Sequence, residues 1–291
     1  MPSTSEIDPA IQLAAEAICS ADALLIGAGA GMGVDSGLPD FRGNEGFWNA
    51  YPPFKKLGLS FVKLANPYWF RQDPEQAWGF YGHRRNLYRA TRPHAGFAIV
   101  RSWCERAPAG YFVFTSNVDG HFQKAGFDAD KIVECHGSIE HLQCMRYCTT
   151  EIWPAAAETI DIDDATFRAR LVLPSCPRCG ALARPNVLMF GDSEWLEHRT
   201  EEQYTRYTAW RRQIRGSRIV VIEIGAGTAV PTVRLECESA GGTLIRINTR
   251  EAESPRGMIA IAGGALTALM AINDSVRNSR SWTSDQAISK S

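Results

Sequence analysis

Four of the eight cysteines form two close pairs that are suited to metal binding. Three residues separate Cys144 from Cys148, and two residues separate Cys176 from Cys179. Two thiolate pairs on tight turns supply the tetrahedral donor set that Zn²⁺ takes in proteins. Because four protein ligands leave no open position on the metal, the spacing predicts a structural zinc site. The alternative interpretation is four unrelated buried cysteines.

A glycine-rich segment near the start of the chain could bind phosphate groups. The apolar run Ala23 to Ile26 predicts a buried strand, and glycines follow it at positions 27, 29, 31 and 33. Glycine lets backbone N–H groups approach a diphosphate closely. The spacing is not G-x-G-x-x-G, and the G-K-[ST] loop of nucleotide triphosphatases is absent. Small residues that pack a helix against a strand are an alternative explanation.

Three further segments carry groups that could act on such a ligand. The segment Pro39-Asp40-Phe41-Arg42-Gly43 could stack on a flat cationic ring and clamp its phosphates. After the predicted strand 111–115, Asn117 and Asp119 could bind ribose hydroxyls and a carboxamide. His136 also follows a predicted strand, and imidazole is the usual general base near neutral pH. A surface turn, a capping turn and a structural histidine are the respective alternatives.

A parallel sheet would bring these segments together. Strand patterns alternate with helical patterns, and the predicted strands are 23–26, 111–115, 131–134, 218–224 and 243–248. This alternation predicts an α/β fold, a doubly wound parallel sheet with helices on both faces. Ligands of such sheets bind beyond the carboxyl ends of the strands. The loops that begin at Gly27, Ser116 and Gly225 should therefore share one crevice. The apolar segment 258–272 predicts the last core helix.

The composition argues against several classes of protein. The 291 residues carry a net charge of -1, with 45% hydrophobic and 22% charged residues, as in ordinary globular proteins. We therefore expect no direct nucleic-acid binding and no membrane association. We find no apolar stretch long enough to span a bilayer, and residues 1–7 lack an export signature, which predicts a cytoplasmic protein. Thiols stay reduced there, so the cysteine pairs point to metal rather than disulfides.

The motifs, in their order along the chain, resemble those of the sirtuin family. Residues 29–43 are similar to the family's G-A-G-I-S-x-x-S-G-I-P-D-F-R-G signature. The other matching segments are Thr115 to Gly120 with T-Q-N-I-D-G, Cys135 to Ser138 with the H-G-S segment, Arg184 to Asp192 with R-P-x-V-V-x-F-G-E, Gly225 to Gly227 with G-T-S, and Asn248 with an asparagine that meets adenosine. The resemblance extends from about residue 7 to residue 272.

The resemblance implies an organisation into modules. The family has a Rossmann-like NAD-binding domain and a smaller domain made of a zinc module and a helical module. The corresponding ranges are 1–40, 93–136 and 185–274 for the NAD-binding domain, 41–92 for the helical module, 137–184 for the zinc module, and 275–291 for a flexible tail.

It also implies a reaction in which NAD is a co-substrate. The acyl oxygen of a modified lysine attacks the nicotinamide ribose, and nicotinamide leaves. His136 would act as general base on a ribose hydroxyl, with Asn117 and Asp119 as the other catalytic residues. The products would be free lysine, nicotinamide and O-acyl-ADP-ribose, and the partners would be proteins or peptides with acylated lysines.

The residues implied for binding fall into two sets. The cofactor-binding set is Gly29, Ala30, Gly31, Asp40, Phe41, Arg42, Ser116, Asn117, Asp119, Gly225, Ala226, Gly227 and Asn248. The substrate set is Tyr81, Arg84, Val187, Met189 and Phe190. The backbone of residues 187–190 would pair with an extended peptide. Tyr81 and Arg84 resemble the Tyr-x-x-Arg pair of sirtuins that prefer succinyl or malonyl lysine, since a phenol and a guanidinium can bind a terminal carboxylate.

Three positions differ from the family pattern, and they keep other functions open. Gly33, Ser116 and Gly227 replace a serine, a glutamine and a serine, and each change removes a polar contact near NAD. A mono-ADP-ribosyltransferase or an NAD glycohydrolase is the alternative enzyme. A zinc-bearing binding module with a vestigial NAD site is the non-enzymatic alternative.

Overall fold

The computed structural model describes residues 8–39, 47, 51–56, 58–170 and 172–279. The strands are β1 Ala23–Ala28, β2 Tyr111–Thr115, β3 Ile132–Glu134, β4 Gly137–Cys144, β5 Trp153–Pro154, β6 Ala183–Val187, β7 Ile219–Ile224, β8 Thr243–Asn248 and β9 Ile259–Ala262. The helices are α1 Pro9–Ser20, α2 Gly31–Val34, α3 Pro52–Lys56, α4 Phe61–Leu64, α5 Tyr68–Gln72, α6 Pro74–Ala90, α7 Ala95–Arg106, α8 His121–Lys124, α9 His198–Gln213, α10 Thr232–Ser239 and α11 Ala265–Asn278, with a 3₁₀ turn at Ala129–Lys131.

A six-stranded parallel sheet forms the centre of the structure. Its strand order is β3-β2-β1-β7-β8-β9, and each pair of neighbours is parallel. Because the order reverses at β1, a crevice opens beyond the carboxyl ends of β1, β2 and β7. This confirms the predicted doubly wound α/β fold, and it places the suspected loops at one edge of the sheet.

Helices cover both faces of this sheet. Leu24 and Ile26 of β1 pack in a core with α1, α7 and α11, whereas Leu25 packs on the other face with Tyr207 of α9 and Val233 of α10. Every residue of β1 is buried, as expected for a strand covered on both sides. The two helical layers hold the strand ends, and therefore their loops, in fixed positions.

The prediction of a single helix over 258–272 is wrong in its first part. Ile259–Ala262 form the edge strand β9, which pairs with β8, and only residues from Ala265 onward are helical. A short apolar run has no periodicity that separates a buried strand from a helix. The last helix also continues to Asn278, beyond residue 275, where the tail was predicted to begin. From residue 280 on, that tail lies outside the described residues.

A second, smaller layer packs beside the parallel sheet. Strand β4 pairs antiparallel with β5 and β6, and the 17-residue helix α6 packs against this small sheet. Trp78 of α6 is fully buried, and its indole N–H donates to the carbonyl oxygen of Ala183 at 2.9 Å. The core of this layer is separate from those of the parallel sheet. The module boundaries stay a prediction.

Among the described helices, none is both long enough and apolar enough to cross a membrane.

Candidate active site

A cavity of about 860 Å³ opens at the point where the strand order reverses. The glycine loop contributes Gly29 and Ala30 to its wall, and the loop after β2 contributes Ser116, Asn117 and Asp119. This volume is within the usual range of ligand cavities. The structure therefore brings these two predicted loops to one cavity, as parallel strand ends require.

Three other parts of the chain complete the wall. His136 lies between β3 and β4, and Gly227 follows β7. The predicted substrate residues Tyr81, Arg84, Val187, Met189 and Phe190 also line this cavity. Gly31, Gly225, Ala226 and Asn248 are not among the lining residues. The predicted Asp40, Phe41 and Arg42 lie outside the described residues.

The glycines of two loops are needed for close contact between the loops. The N–H of Gly31 donates to the carbonyl oxygen of Gly225 at 3.1 Å. A Cβ atom on Gly225, whose φ is 62°, would lie 2.4 Å from Gly31 Cα. A Cβ atom on Gly29 would lie 2.6 Å from Ala226 Cα. Close packing thus explains Gly225, while Gly29 both packs on a loop and lines the cavity.

Asn117 is fixed by hydrogen bonds to its own strand end and to the glycine loop. Thr115 Oγ1 donates to the carbonyl oxygen of Ala28 at 3.0 Å and accepts from the N–H of Asn117 at 3.0 Å. The side-chain amide of Asn117 donates to the carbonyl oxygen of Gly29 at 3.0 Å. The side chain therefore connects the two loops at the cavity wall.

Asp119 supplies a carboxylate to the part of the cavity wall that the loop after β2 forms. Its Oδ1 accepts a hydrogen bond from the N–H of His121 at 2.9 Å, and His121 is the first residue of the short helix α8. Burial raises the pKa of Asp119, while the nearby charges of His121 and Arg84 oppose the rise. The carboxylate thus lies in the cavity wall, close enough to Arg84 for that charge to influence its pKa.

His136 has the protonation behaviour that a general base needs. Burial lowers the pKa of His136, and a hydrogen bond to the backbone of Ser116 opposes part of this shift. An imidazole whose pKa lies below about 6.5 is mostly neutral at pH 7 and can accept a proton. The carbonyl oxygen of His136 accepts the N–H of Leu188 at 2.9 Å, which joins the histidine to the predicted peptide segment.

Asn248 lies behind the wall and fixes neighbouring loops. It is 2% exposed, and its amide donates to the carbonyl oxygen of Ala226 at 2.8 Å. Its Oδ1 accepts the N–H groups of Arg250 and Glu251 at 3.1 and 3.2 Å. These hydrogen bonds hold the loops that follow β7 and β8 together, and the predicted contact with adenosine stays a prediction.

The sequence reasoning missed Arg250 and Glu251, which line the cavity at the end of β8. Glu251 accepts the N–H of Thr228 at 3.1 Å, so it holds the loop that follows β7. Their position directly after a strand was the only signal that could have identified them.

The predicted peptide segment is held by a fully buried ion pair. The guanidinium of Arg184 contacts the carboxylate of Asp192, and both side chains are 0% exposed. Arg184 also donates to the carbonyl oxygen of Val187 at 3.1 Å, and Asp192 accepts the N–H of Met189 at 3.3 Å. Since the N–H of Phe190 donates to Ala65, an added peptide strand would use the carbonyl groups of this segment.

Helix α6 contributes a buried cation to the cavity wall. Arg84 is 6% exposed and lies in the wall with Tyr81 and Tyr88. Its Cζ lies 5.2 Å from the ring centre of Phe80 and 5.6 Å from that of Tyr81. Burial raises the pKa of Tyr81 to about 12, so its phenol stays protonated. A buried cation beside a phenol can bind a carboxylate.

The four cysteines of the two pairs have the geometry of a zinc site. The Sγ atoms all lie within 4.8 Å of one another. The Sγ distances are 3.6 Å for Cys144–Cys148, 3.6 Å for Cys148–Cys176 and 3.7 Å for Cys144–Cys179. A tetrahedron with Zn–S bonds of about 2.3 Å has edges of about 3.8 Å. The donor set therefore fits Zn²⁺ with four protein ligands, which is a structural site.

The fold and the site define a doubly wound α/β protein with a ligand cavity at its strand ends and a four-cysteine cluster suited to zinc. A sequence model described as the Sir2 family matches residues 29–211, and the chain belongs to this family.

Similar proteins agree with this assignment. A NAD-dependent protein deacylase of Pyrococcus abyssi is 30% identical over 77% of this chain and 80% of that relative. Another, of Aquifex aeolicus, is 33% identical over 57% of this chain, which spans only 60% of that relative's length. A solved structure described as a Sir2 homolog–NAD complex has 26% identity and a TM-score of 0.67, covering 90% of this chain and 92% of that one.

Proposed function

We propose that this chain, an NAD-dependent protein deacylase of the Sir2 family, removes acyl groups from lysine with His136 as its general base. The observation that carries the assignment of residues is that one cavity is lined by the glycine loop, His136 and the peptide segment. NAD, a base and an acyl-lysine would thus meet in one place. A lowered pKa keeps the imidazole neutral at pH 7, where it can accept a proton.

The reaction proceeds in three stages at the nicotinamide ribose. The acyl oxygen of the lysine attacks the anomeric carbon, and nicotinamide leaves with the electron pair of the broken bond. His136 then takes the proton of a ribose hydroxyl, whose oxygen attacks the acyl carbon. The lysine amine leaves with the proton that His136 took. Water then adds to the acyl carbon of the remaining cyclic cation, which loses a proton and opens to O-acyl-ADP-ribose. Asn117 and Asp119 hold the ribose and the carboxamide, and the zinc module has a structural role.

The substrate is an extended peptide that carries the acylated lysine. The carbonyl groups of residues 187–190 supply acceptors for peptide N–H groups, in the manner of an added strand. The buried pair of Arg184 and Asp192 keeps this segment rigid. Because the segment is already rigid, it loses less conformational entropy when the peptide binds. A reducing compartment such as the cytoplasm suits the proposal, because zinc is held by free thiolates.

The acyl group can carry a terminal carboxylate, as in succinyl or malonyl lysine. Arg84 and Tyr81 lie in the wall of the cavity that also contains His136. A buried guanidinium attracts a carboxylate more strongly than an exposed guanidinium does, because less water is present to screen the two charges. An acetyl group has no partner for this cation, so a succinyl peptide should bind more tightly.

Mass spectrometry of the products is the test. The protein is incubated with NAD and either an acetyl-lysine or a succinyl-lysine peptide. We expect free lysine peptide, nicotinamide and O-acyl-ADP-ribose, with the higher kcat/KM for the succinyl peptide. ADP-ribose or ADP-ribosylated protein alone would instead indicate a glycohydrolase or a mono-ADP-ribosyltransferase, and a lack of NAD binding in calorimetry would indicate a binding module.

The acyl preference is tested separately with an arginine variant. Arg84→Met keeps much of the length and apolar character of the side chain but removes the charge. We expect it to lower the succinyl-to-acetyl ratio of kcat/KM about tenfold or more. Arg92→Met is the matched control, because Arg92 is an exposed arginine just beyond the same helix. An unchanged ratio in Arg84→Met would refute the acyl preference and leave the deacylase assignment intact.

A further inference from the structure

We propose that Tyr88 is a positioning residue that orients the Arg84 guanidinium and so sets selectivity for acyl groups with a terminal carboxylate. The inference rests on the deacylase function and the acyl preference proposed above. Tyr88 stands four residues after Arg84 on α6, so both side chains lie on one face of the helix. Both also line the cavity.

The contact between the two side chains is direct. Arg84 Nε donates to the hydroxyl oxygen of Tyr88 at 2.9 Å, and Arg84 Cζ lies 5.5 Å from the centre of the Tyr88 ring. Tyr88 is 5% exposed and Arg84 is 6% exposed. A hydrogen bond with a charged partner in such a buried position is stronger than one at the surface.

This hydrogen bond restricts how the guanidinium can meet a ligand. A guanidinium binds a carboxylate with two parallel N–H groups, either on its Nε side or on the edge formed by Nη1 and Nη2. Because Tyr88 takes the Nε side, a carboxylate in the cavity would meet the Nη edge. The rings of Phe61 and Phe80, at 5.8 and 5.2 Å from Cζ, further limit rotation of the group.

The hydroxyl of Tyr88 is suited to this role over a wide pH range. Burial raises the pKa of Tyr88, and the adjacent charge of Arg84 only partly opposes the rise. The phenol therefore stays protonated at neutral pH, and its oxygen accepts from Nε without adding a negative charge. An ionised phenol would compete with the ligand carboxylate for the cation, whereas a neutral one does not.

The backbone of Tyr88 is also fixed, which keeps the ring from moving with Arg84. Its carbonyl oxygen lies 3.4 Å from Lys124 Nζ and 3.3 Å from His121 Nε2. Lys124 also donates to the carbonyl oxygens of Arg89 and Thr91, both at 2.6 Å. The last turn of α6 is thereby tied to α8, which begins directly after Asp119 and Gly120. The acyl end and the NAD end of the cavity share this support.

The experiment is a kinetic comparison of Tyr88→Phe with the parent protein, using succinyl-lysine and acetyl-lysine peptides at saturating NAD. The change removes one oxygen atom and leaves the ring. We expect KM for the succinyl peptide to rise about tenfold, the effect of one hydrogen bond to a charged group, with kcat changed about twofold or less. The succinyl-to-acetyl ratio of kcat/KM should fall by about the same tenfold.

Tyr68→Phe is the matched control, because Tyr68 is an exposed tyrosine on the neighbouring helix α5. Calorimetry of NAD binding shows whether Tyr88→Phe keeps a folded site. A ratio equal to that of the parent in a variant that still binds NAD would overturn the role of Tyr88. If Arg84→Met also leaves the ratio unchanged, the acyl preference itself is wrong and the role of Tyr88 is refuted with it. If only Arg84→Met lowers the ratio, the inference about Tyr88 alone is refuted.

Discussion

The side-chain amide of Asn117 donates a hydrogen bond to the carbonyl oxygen of Gly29 at 3.0 Å. The two residues belong to different loops, one after β2 and one after β1, and both line the cavity. Because the backbone N–H of Asn117 is itself held by Thr115, the amide has little freedom to turn away. The relationship fixes the position of the glycine loop relative to the residues proposed to hold the ribose.

Asn117→Asp should weaken NAD binding. The new carboxylate would face the carbonyl oxygen of Gly29. Two hydrogen-bond acceptors repel each other, whereas the amide of Asn117 donates a hydrogen bond to that oxygen. We expect the Kd for NAD, measured by calorimetry, to rise at least about tenfold. Asn278→Asp is the control, since this exposed asparagine lies on the last turn of α11. An unchanged Kd in Asn117→Asp would show that the loop connection is not needed for NAD.

The pH dependence of kcat/KM should follow the imidazole of His136. A general base acts when it is neutral, so activity is lost as pH falls through its pKa. Burial lowers this pKa, so the midpoint of the acid limb of kcat/KM should lie below about 6.5, the usual pKa of an imidazole. Asp119 has a raised pKa, so it could also lose its charge on acidification. Asp119→Asn removes the ionisable carboxylate, and we expect kcat/KM of this variant still to fall at low pH. If the fall at low pH disappears in Asp119→Asn, the carboxylate and not His136 is its cause.

Cys176→Ser should release zinc from the four-cysteine site. Serine is a poor ligand for Zn²⁺, and three thiolates leave an open position. We expect the metal content, measured by mass spectrometry under native conditions, to fall from about one zinc per chain to less than half, with a lower Tm. The control is Cys19→Ser, because Cys19 contacts Ser279 and lies outside the cluster. Full zinc content in Cys176→Ser would contradict the ligand assignment.

Asp192→Asn should destabilise the protein and weaken peptide binding. It leaves the buried cation of Arg184 without its counter-charge, a loss of about 3–5 kcal/mol in the free energy of unfolding. Denaturant unfolding and the KM for the acyl peptide measure the two effects. Glu194→Gln is a control in the same segment, because its pair with Arg71 is exposed and contributes at most about 1 kcal/mol. Equal losses in the two variants would contradict the account of the buried pair.

Local patterns were sufficient to predict the parallel sheet and the cluster of four cysteines. Carboxyl ends of parallel strands meet at one edge, so loops far apart in sequence could be placed together. The spacing of Cys144, Cys148, Cys176 and Cys179 restricts their chemistry in a similar way. These are properties of short segments, and they do not depend on how distant side chains pack.

Contacts between distant segments could not be predicted. The strand 218–224 is mostly apolar in sequence, yet Glu223 is fully buried within it, and Arg246 of β8 pairs with this carboxylate at 2.7 Å. The contact between Lys124 and the carbonyl oxygen of Tyr88 depends on where α6 ends relative to α8, and the hydrogen bond of Asn248 depends on the loop after β7. No periodicity encodes such pairings, since each is decided by the register of packed elements.

The most direct test of the mechanism is product formation by His136→Ala, with NAD and an acyl-lysine peptide as substrates. General-base catalysis contributes about 10²–10⁴ in rate, so we expect O-acyl-ADP-ribose formation to fall at least about 100-fold while NAD still binds. His198→Ala, at the start of α9, should retain parent activity. Turnover of His136→Ala within about threefold of the parent, well below a general-base effect, would contradict the account.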